Sequence, residues 1–276
     1  MHESVLVYRG FRFLKIAVLL GIVAIIAYAV DQPLGVPNGG TWLGYTLGTI
    51  GALLILWLMW FGMRKRRYYG GANKLQGWLS AHVYLGLALI VVATLHTGFQ
   101  FGWNLHTLAY ALMILVIVSG VFGIYAYARY PRLMTENRHG KTSEQLLRDI
   151  AELDEEARSA ALTLGDEINA VVLEAANKTK IGGGLGRMLS GEDRNCPTAR
   201  GLVRVEELAA SASGKEATQI RRLAGILSRK NELLRQARRD VRFLALMQIW
   251  LYIHVPISFA LLAALIAHVI AVFFYW

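Results

Sequence analysis

Four of the seven histidines fall into two equally spaced pairs. His82 and His96 lie 14 residues apart in one apolar stretch, and His254 and His268 lie 14 apart in another. At 100° per residue, 14 steps stop about 40° short of four full turns, so both members of a pair share one helix face. The rise between them is about 21 Å at 1.5 Å per residue. Each helix therefore presents one imidazole near each end of a bilayer-length segment. If the two helices run in the same direction, His82 stands level with His254 and His96 with His268. Two facing imidazoles at one level can be the axial ligands of one haem iron, and two levels make two haems. Zinc suits the pattern less well, because ligands about 21 Å apart on a helix cannot share one small ion.

Small side chains accompany the histidines. Gly86 and Ala93 lie near the His82–His96 face, and Ser258, Ala264 and Ala267 lie near the other pair. Small residues let a flat macrocycle approach the backbone, although ordinary helix–helix packing uses the same residues.

The elements that must carry these residues are apolar helices. The sequence is 55% hydrophobic and 17% charged, and its mean hydropathy is +0.41. An ordinary soluble domain has about 25% charged residues. Crossing a bilayer takes about 20 apolar residues, and five stretches qualify: Phe11–Val30, Trp42–Phe61, Leu79–Phe101, Thr107–Tyr127 and a fifth within Phe243–Trp276. A cleaved signal peptide is the alternative for the first, but no small-residue cleavage site with a convincing flank follows it.

Nine Lys/Arg lie outside residues 132–242, and all fall before or in the first turns of span one, between spans two and three, or just after span four. The loops Asp31–Thr41 and Gly102–His106 have none. The positive-inside rule then expects a cytoplasmic N-terminus and Trp276 on the outer face. Spans three and five both run outward, as the histidine levels require. The expected home is a bacterial inner membrane.

Residues 132–242 are different material, with 17 of the 19 acidic and 20 of the 29 basic residues. Thr142 with Gln145 resembles a capping box that opens an amphipathic helix through about Ala176. A glycine-rich break at Gly182–Gly186 and a loop around Cys196–Pro197 follow. Lys215–Arg242 then puts Ile220, Leu223, Leu227, Leu234 and Val241 on one face, with no strong breaker before span five. One long helix is expected to enter the membrane from a cytoplasmic helical hairpin, whose apolar stripe is expected to dock a partner. The division is thus 1–131 (spans one to four), 132–242 (insert) and 243–276 (span five). The fold class is an all-α integral membrane protein, a five-helix haem-binding bundle with a cytoplasmic insert.

The H-x13-H pair on each of two parallel helices resembles the dihaem transmembrane b-type cytochromes. It is similar to the cytochrome b of quinol–cytochrome c reductases and, more loosely, to the ferric reductase/NADPH oxidase membrane domain. The resemblance covers roughly the membrane half of the chain. It implies two b-type haems, one held by His82 and His254 and one by His96 and His268, with Gly86 and Ala93 beside them. The chain departs from these families in having only five spans, no PEWY-like quinol-site motif and no flavin or nicotinamide domain expected beyond span five. Five-span succinate dehydrogenase anchors spread single histidines over four helices, unlike this chain.

Other residues carry weaker signals. His106 begins span four near Trp103 and Tyr110, with no further intramembrane histidine left to pair with. His106 and Tyr110 are read either as an outer quinone site, where an imidazole exchanges protons near neutral pH, or as an interfacial polar–aromatic belt. Arg64–Arg67 either pair with haem propionates or only set topology. Cys196, the single cysteine, rules out internal disulfides and Cys-rich metal sites, and is read as a bystander. Gly182–Arg187 lacks the GK[ST] ending of a phosphate loop. Arg235–Arg242 is read as a membrane-surface collar, so the net charge of +10 is not taken as a sign of nucleic-acid binding.

The expected function is electron transfer across the membrane between a quinone pool and a partner redox subunit (Fe–S, flavin or cytochrome c), as one subunit of a membrane oxidoreductase complex in a respiratory chain. No catalytic residue is assigned. The competing class is a non-redox transporter or assembly protein whose histidines relay protons or bind metal.

Overall fold

The computed structural model describes residues 5–66 and 72–274. Among these, all regular structure is helical. A 3-10 turn, Val5–Val7, leads into nine α-helices: α1 Tyr8–Val30, α2 Trp42–Arg66, α3 Ala72–His96, α4 Leu105–Asn137, α5 Ser143–Ala161, α6 Asp166–Lys178, α7 Leu185–Ser190, α8 Pro197–Ser211 and α9 Gly214–Phe274. Helices α1, α2, α3, α4 and α9 are each long and apolar enough to cross a membrane. The chain divides into two compact units, one made of Met1–Gly123 and Leu251–Trp276, the other of Ile124–Trp250.

In the first unit, α1, α2 and α3 share a cluster of Ala24, Leu47, Val92 and Leu95. A second cluster, Ile55, Leu89, Met113 and Leu261, joins α2 and α3 to the first part of α4 and the last part of α9. The start of the chain is tied to α3 by the Tyr84 hydroxyl, which donates to the Leu6 carbonyl at 2.9 Å. Gly77 on α3 is needed there, because a Cβ would stand 2.8 Å from the Tyr8 ring. Three expected spans begin or end elsewhere. The third helix ends at His96, and Phe101 lies in the following loop. The fourth runs on to Asn137 through Pro131. The second extends to Arg66. Arg67 and Trp276 lie outside the described residues, as do the side chains of Arg64–Arg66, so the readings placed on them find no structural counterpart.

The second unit corrects the expected hairpin. The capping box is present: Thr142 Oγ1 accepts from the Gln145 amide at 3.1 Å, and the Gln145 side chain accepts from the Thr142 amide at 2.8 Å. The helix it opens ends at Ala161, however, and a new one starts after Gly165. The Leu164 amide turns back to the Ala161 carbonyl at 2.9 Å, and Leu164 is itself buried. The apparent loop at Cys196–Pro197 is the start of α8, with Pro197 in its first turn, where a missing N–H costs nothing. The insert is therefore a small bundle of α5, α6, α8 and the first part of α9, with the short α7 beside them.

Its core is Leu153, Ala157, Ile168, Val172, Val205, Ile220, Leu223 and Leu227. Leu146, Ile150, Cys196, Leu234 and Ala237 form a second cluster. The stripe expected to dock a partner is thus covered inside the chain, with Ile220, Leu223, Leu227 and Leu234 each no more than 2% exposed. The expectation of one long helix into span five matches α9, which runs 61 residues without interruption. Arg238 leaves the expected basic collar. It is buried, and it donates to the Lys180 carbonyl at 2.9 Å and to Cys196 Sγ at 3.2 Å. Cys196 is accordingly a core residue instead of a side chain in a polar loop.

Candidate functional site

The four paired histidines sit at two levels of the first unit. His82 on α3 is within electrostatic reach of His254 on α9, and it also interacts with the Leu58 backbone of α2. At the other level the ring centroids of His96 and His268 are 6.0 Å apart, with the rings near perpendicular. The structure therefore brings His96 beside His268, and His254 is near enough to His82 to act on it electrostatically.

The protein holds the Nδ1 side of His96, His254 and His268. His96 Nδ1 lies 2.7 Å from the Gly44 carbonyl. A carbonyl can only accept, so Nδ1 carries the proton and the lone pair of the neutral ring is on Nε2. His254 Nδ1 lies 2.7 Å from Ser119 Oγ. The single hydroxyl proton of Ser119 is already given to the Val116 carbonyl at 2.8 Å. Ser119 must then accept from His254, which again leaves Nε2 with the lone pair. His268 Nδ1 faces His106 Nδ1 at 2.5 Å. Fixing one ring nitrogen by hydrogen bonding is how proteins orient a ligating histidine.

Gly48 on α2 and Gly39 in the loop before it make room for His96. A Cβ on Gly48 would stand 2.6 Å from Cε1 and 2.8 Å from Nδ1 of that ring, and one on Gly39 would stand 3.1 Å from Cε1. The first of these distances is inside any real contact, so the imidazole occupies its position only because residue 48 has no side chain. Gly86, between the histidines on α3, is buried, yet a Cβ there would meet nothing within 4 Å. That is open space beside the backbone on the helix that carries His82 and His96. Ala93 differs: it packs among Ile55, Leu89 and Met113 as ordinary core.

The site fits a haem better than a bare ion. Among the described residues no three His, Cys, Asp or Glu are arranged to hold a metal. Two protein ligands per level suffice only if the group brings its own equatorial ligands. His96 and His268, with ring centroids 6.0 Å apart, would be the two protein ligands of one such group.

His106 does not stand apart from the four, as its sequence position suggested. Its ring centroid lies 4.5 Å from that of His268, at an interplanar angle of 90°. Tyr110, read beside it as part of a quinone site, places its hydroxyl 2.9 Å from Thr94 Oγ1, which itself donates to the Ile90 carbonyl at 2.7 Å. The Tyr110 proton is therefore directed at Thr94. The sequence reading missed Ser119, Gly44 and Gly48. The glycines repeat at a four-residue spacing on α2, a signal of close approach to that face. Ser119 gave no comparable signal.

No protein-family model, no curated protein and no solved structure matches this chain.

Proposed function

We propose that the chain is a dihaem b-type cytochrome that carries single electrons across an energy-transducing membrane. The observation that supports this most is the pair of imidazole levels, in which His96 and His254 expose Nε2 because their Nδ1 atoms are held by Gly44 and Ser119. His82 with His254 would hold one haem and His96 with His268 the other. A bound haem iron supplies a one-electron redox centre. The chain's own part is to bind it, to fix ligand orientation and to exclude water. The apolar helices keep each site in low dielectric. A quinone pool and a separate redox subunit are the proposed exchange partners, and the distribution of basic residues supports a cytoplasmic insert.

One observation favours a second reading. The His106–His268 contact is a hydrogen-bonded imidazole pair of the kind that relays protons in transporters. Reduced-minus-oxidised spectra of the purified full chain distinguish the two. Sharp b-type bands with two haems per chain support the cytochrome, and a protein that purifies without colour from haem-replete cells overturns it.

A further inference from the structure

His106 sits in the first turn of α4, a turn fixed by local capping. The Thr107 amide donates to Asn104 Oδ1 at 2.9 Å, and Thr107 Oγ1 accepts from the Gly102 amide at 3.1 Å. A capped first turn fixes the backbone that carries His106. Its Nδ1 points at His268 Nδ1, 2.5 Å away. Only one proton fits between two ring nitrogens. The shared proton leaves His268 ligating through Nε2 only if His268 is the donor and His106 the acceptor.

We propose that His106 is the positioning residue of the His96/His268 level. It accepts the Nδ1–H of His268 and so fixes which His268 nitrogen faces the haem, as the Gly44 carbonyl does for His96 and Ser119 for His254. The assignment rests on the dihaem reading and extends it. Each of these three imidazoles then has its own acceptor, and His106 supplies the one that no backbone carbonyl or hydroxyl provides. Such a bond makes the ligand a stronger donor to the iron and favours the oxidised state.

The test is a potentiometric titration of the full chain in detergent, with the haem at the His82/His254 level as internal reference. In His106→Ala the potential of the His96/His268 haem rises by about tenfold in the reduction equilibrium, about 59 mV for one electron. The other haem stays in place. His106→Asn, whose carbonyl can accept in the same position, restores most of the shift. His106→Phe fills the volume without an acceptor and behaves as His106→Ala, which keeps the test decisive if the alanine variant folds poorly. Unchanged potentials in both His106→Ala and His106→Phe overturn the proposal. So does a bis-histidine spectrum that survives His268→Ala and is lost in His106→Ala, since His106 would then be the ligand. A wild-type chain without haem would sink the dihaem reading and this inference with it. Two wild-type haems with an inert His106 would sink the inference alone.

Discussion

In the unit formed by Met1–Gly123 and Leu251–Trp276, large apolar side chains point outward: Leu19 is 63% exposed, Val30 72% and Phe259 59%. Its interior holds imidazoles and hydroxyls beside the apolar clusters around Val92 and Leu89. In Ile124–Trp250 the arrangement is reversed. Leu223, Leu227 and Val205 are at most 1% exposed, while charged side chains such as Arg204, Glu167 and Arg222 cover the surface in open ion pairs. The first pattern is what helices solvated by hydrocarbon would show, the second what a bundle solvated by water would show. A polar side chain therefore has a different meaning in each. In hydrocarbon it is an expensive interior group, rare unless a function retains it. In the second it is a solvated surface unless it is buried.

The largest expected effect separates the two histidine levels. His96→Ala and His268→Ala should each remove one haem of two, and the same one. His82→Ala and His254→Ala should each remove the other. Haem content per chain checks the count, and potentiometry identifies which haem is left. If His82 and His268 removed the same haem, the level pairing would be wrong.

A smaller effect tests whether glycine spacing matters in the first unit as hydrophobic spacing does in the second. Gly48→Val should displace the His96 ring and weaken the haem at that level by about 10–100-fold, as loss of an orienting contact does elsewhere. Gly21→Ala on α1 is the control, because a Cβ there meets nothing within 4 Å. Equal haem retention in both variants would show that His96 finds another seat.

What the sequence revealed differs between the units for the same reason. Five apolar stretches are long enough that composition alone marks them, and the histidine spacing survives because a helix converts spacing directly into face and level. The α5–α6 break was not legible. Ala161–Gly165 contains only a late glycine as a stop signal, and it is the burial of Leu164 by its neighbours that bends the chain. Cys196–Pro197 read as a loop because proline both ends and begins helices. The acceptors Gly44 and Ser119, and the meeting of His106 with His268, depend on which helix faces which. No local pattern encodes that.

Within the water-facing bundle, burial should dominate. Lys230 is 1% exposed, and its ammonium contacts both Asp154 and the Ala175 carbonyl, the latter at 2.9 Å. Asp154→Ala leaves that charge short of its partner and should cost about 3–5 kcal/mol. Leu223→Ala should cost about 2–5 kcal/mol through the cavity it leaves. Denaturant unfolding of the full chain in detergent, followed by helical signal, reports both, and the haem spectrum at low denaturant should be unaltered. If Leu227→Glu instead left stability intact and reduced only recovery of a co-purifying subunit, the stripe would be a docking surface after all.

The smallest expected effect concerns Asp240. It is 6% exposed, accepts from Asn137 Nδ2 at 3.0 Å and lies 2.8 Å from Arg138 Nε. Burial pushes its carboxyl above the ordinary range, and this outweighs the hydrogen bond from Asn137 and the charge of Arg138, both of which pull it down. A raised folded-state pKa means that the folded chain holds a proton the unfolded chain has released. Stability from this group is therefore present below the unfolded value of about 3.9 and is lost as pH rises through the raised folded value. The ion pair with Arg138 accordingly contributes little net stability at neutral pH. Asp240→Asn should cost less than about 1 kcal/mol near pH 7, within the range of a weak pair. Its cost should grow as pH falls toward about 4, because wild type gains the proton-linked stability that the amide lacks. Denaturant midpoints of both proteins across that range measure the difference. A cost that is largest at neutral pH and shrinks on acidification would mean that the attraction of Arg138 wins over burial.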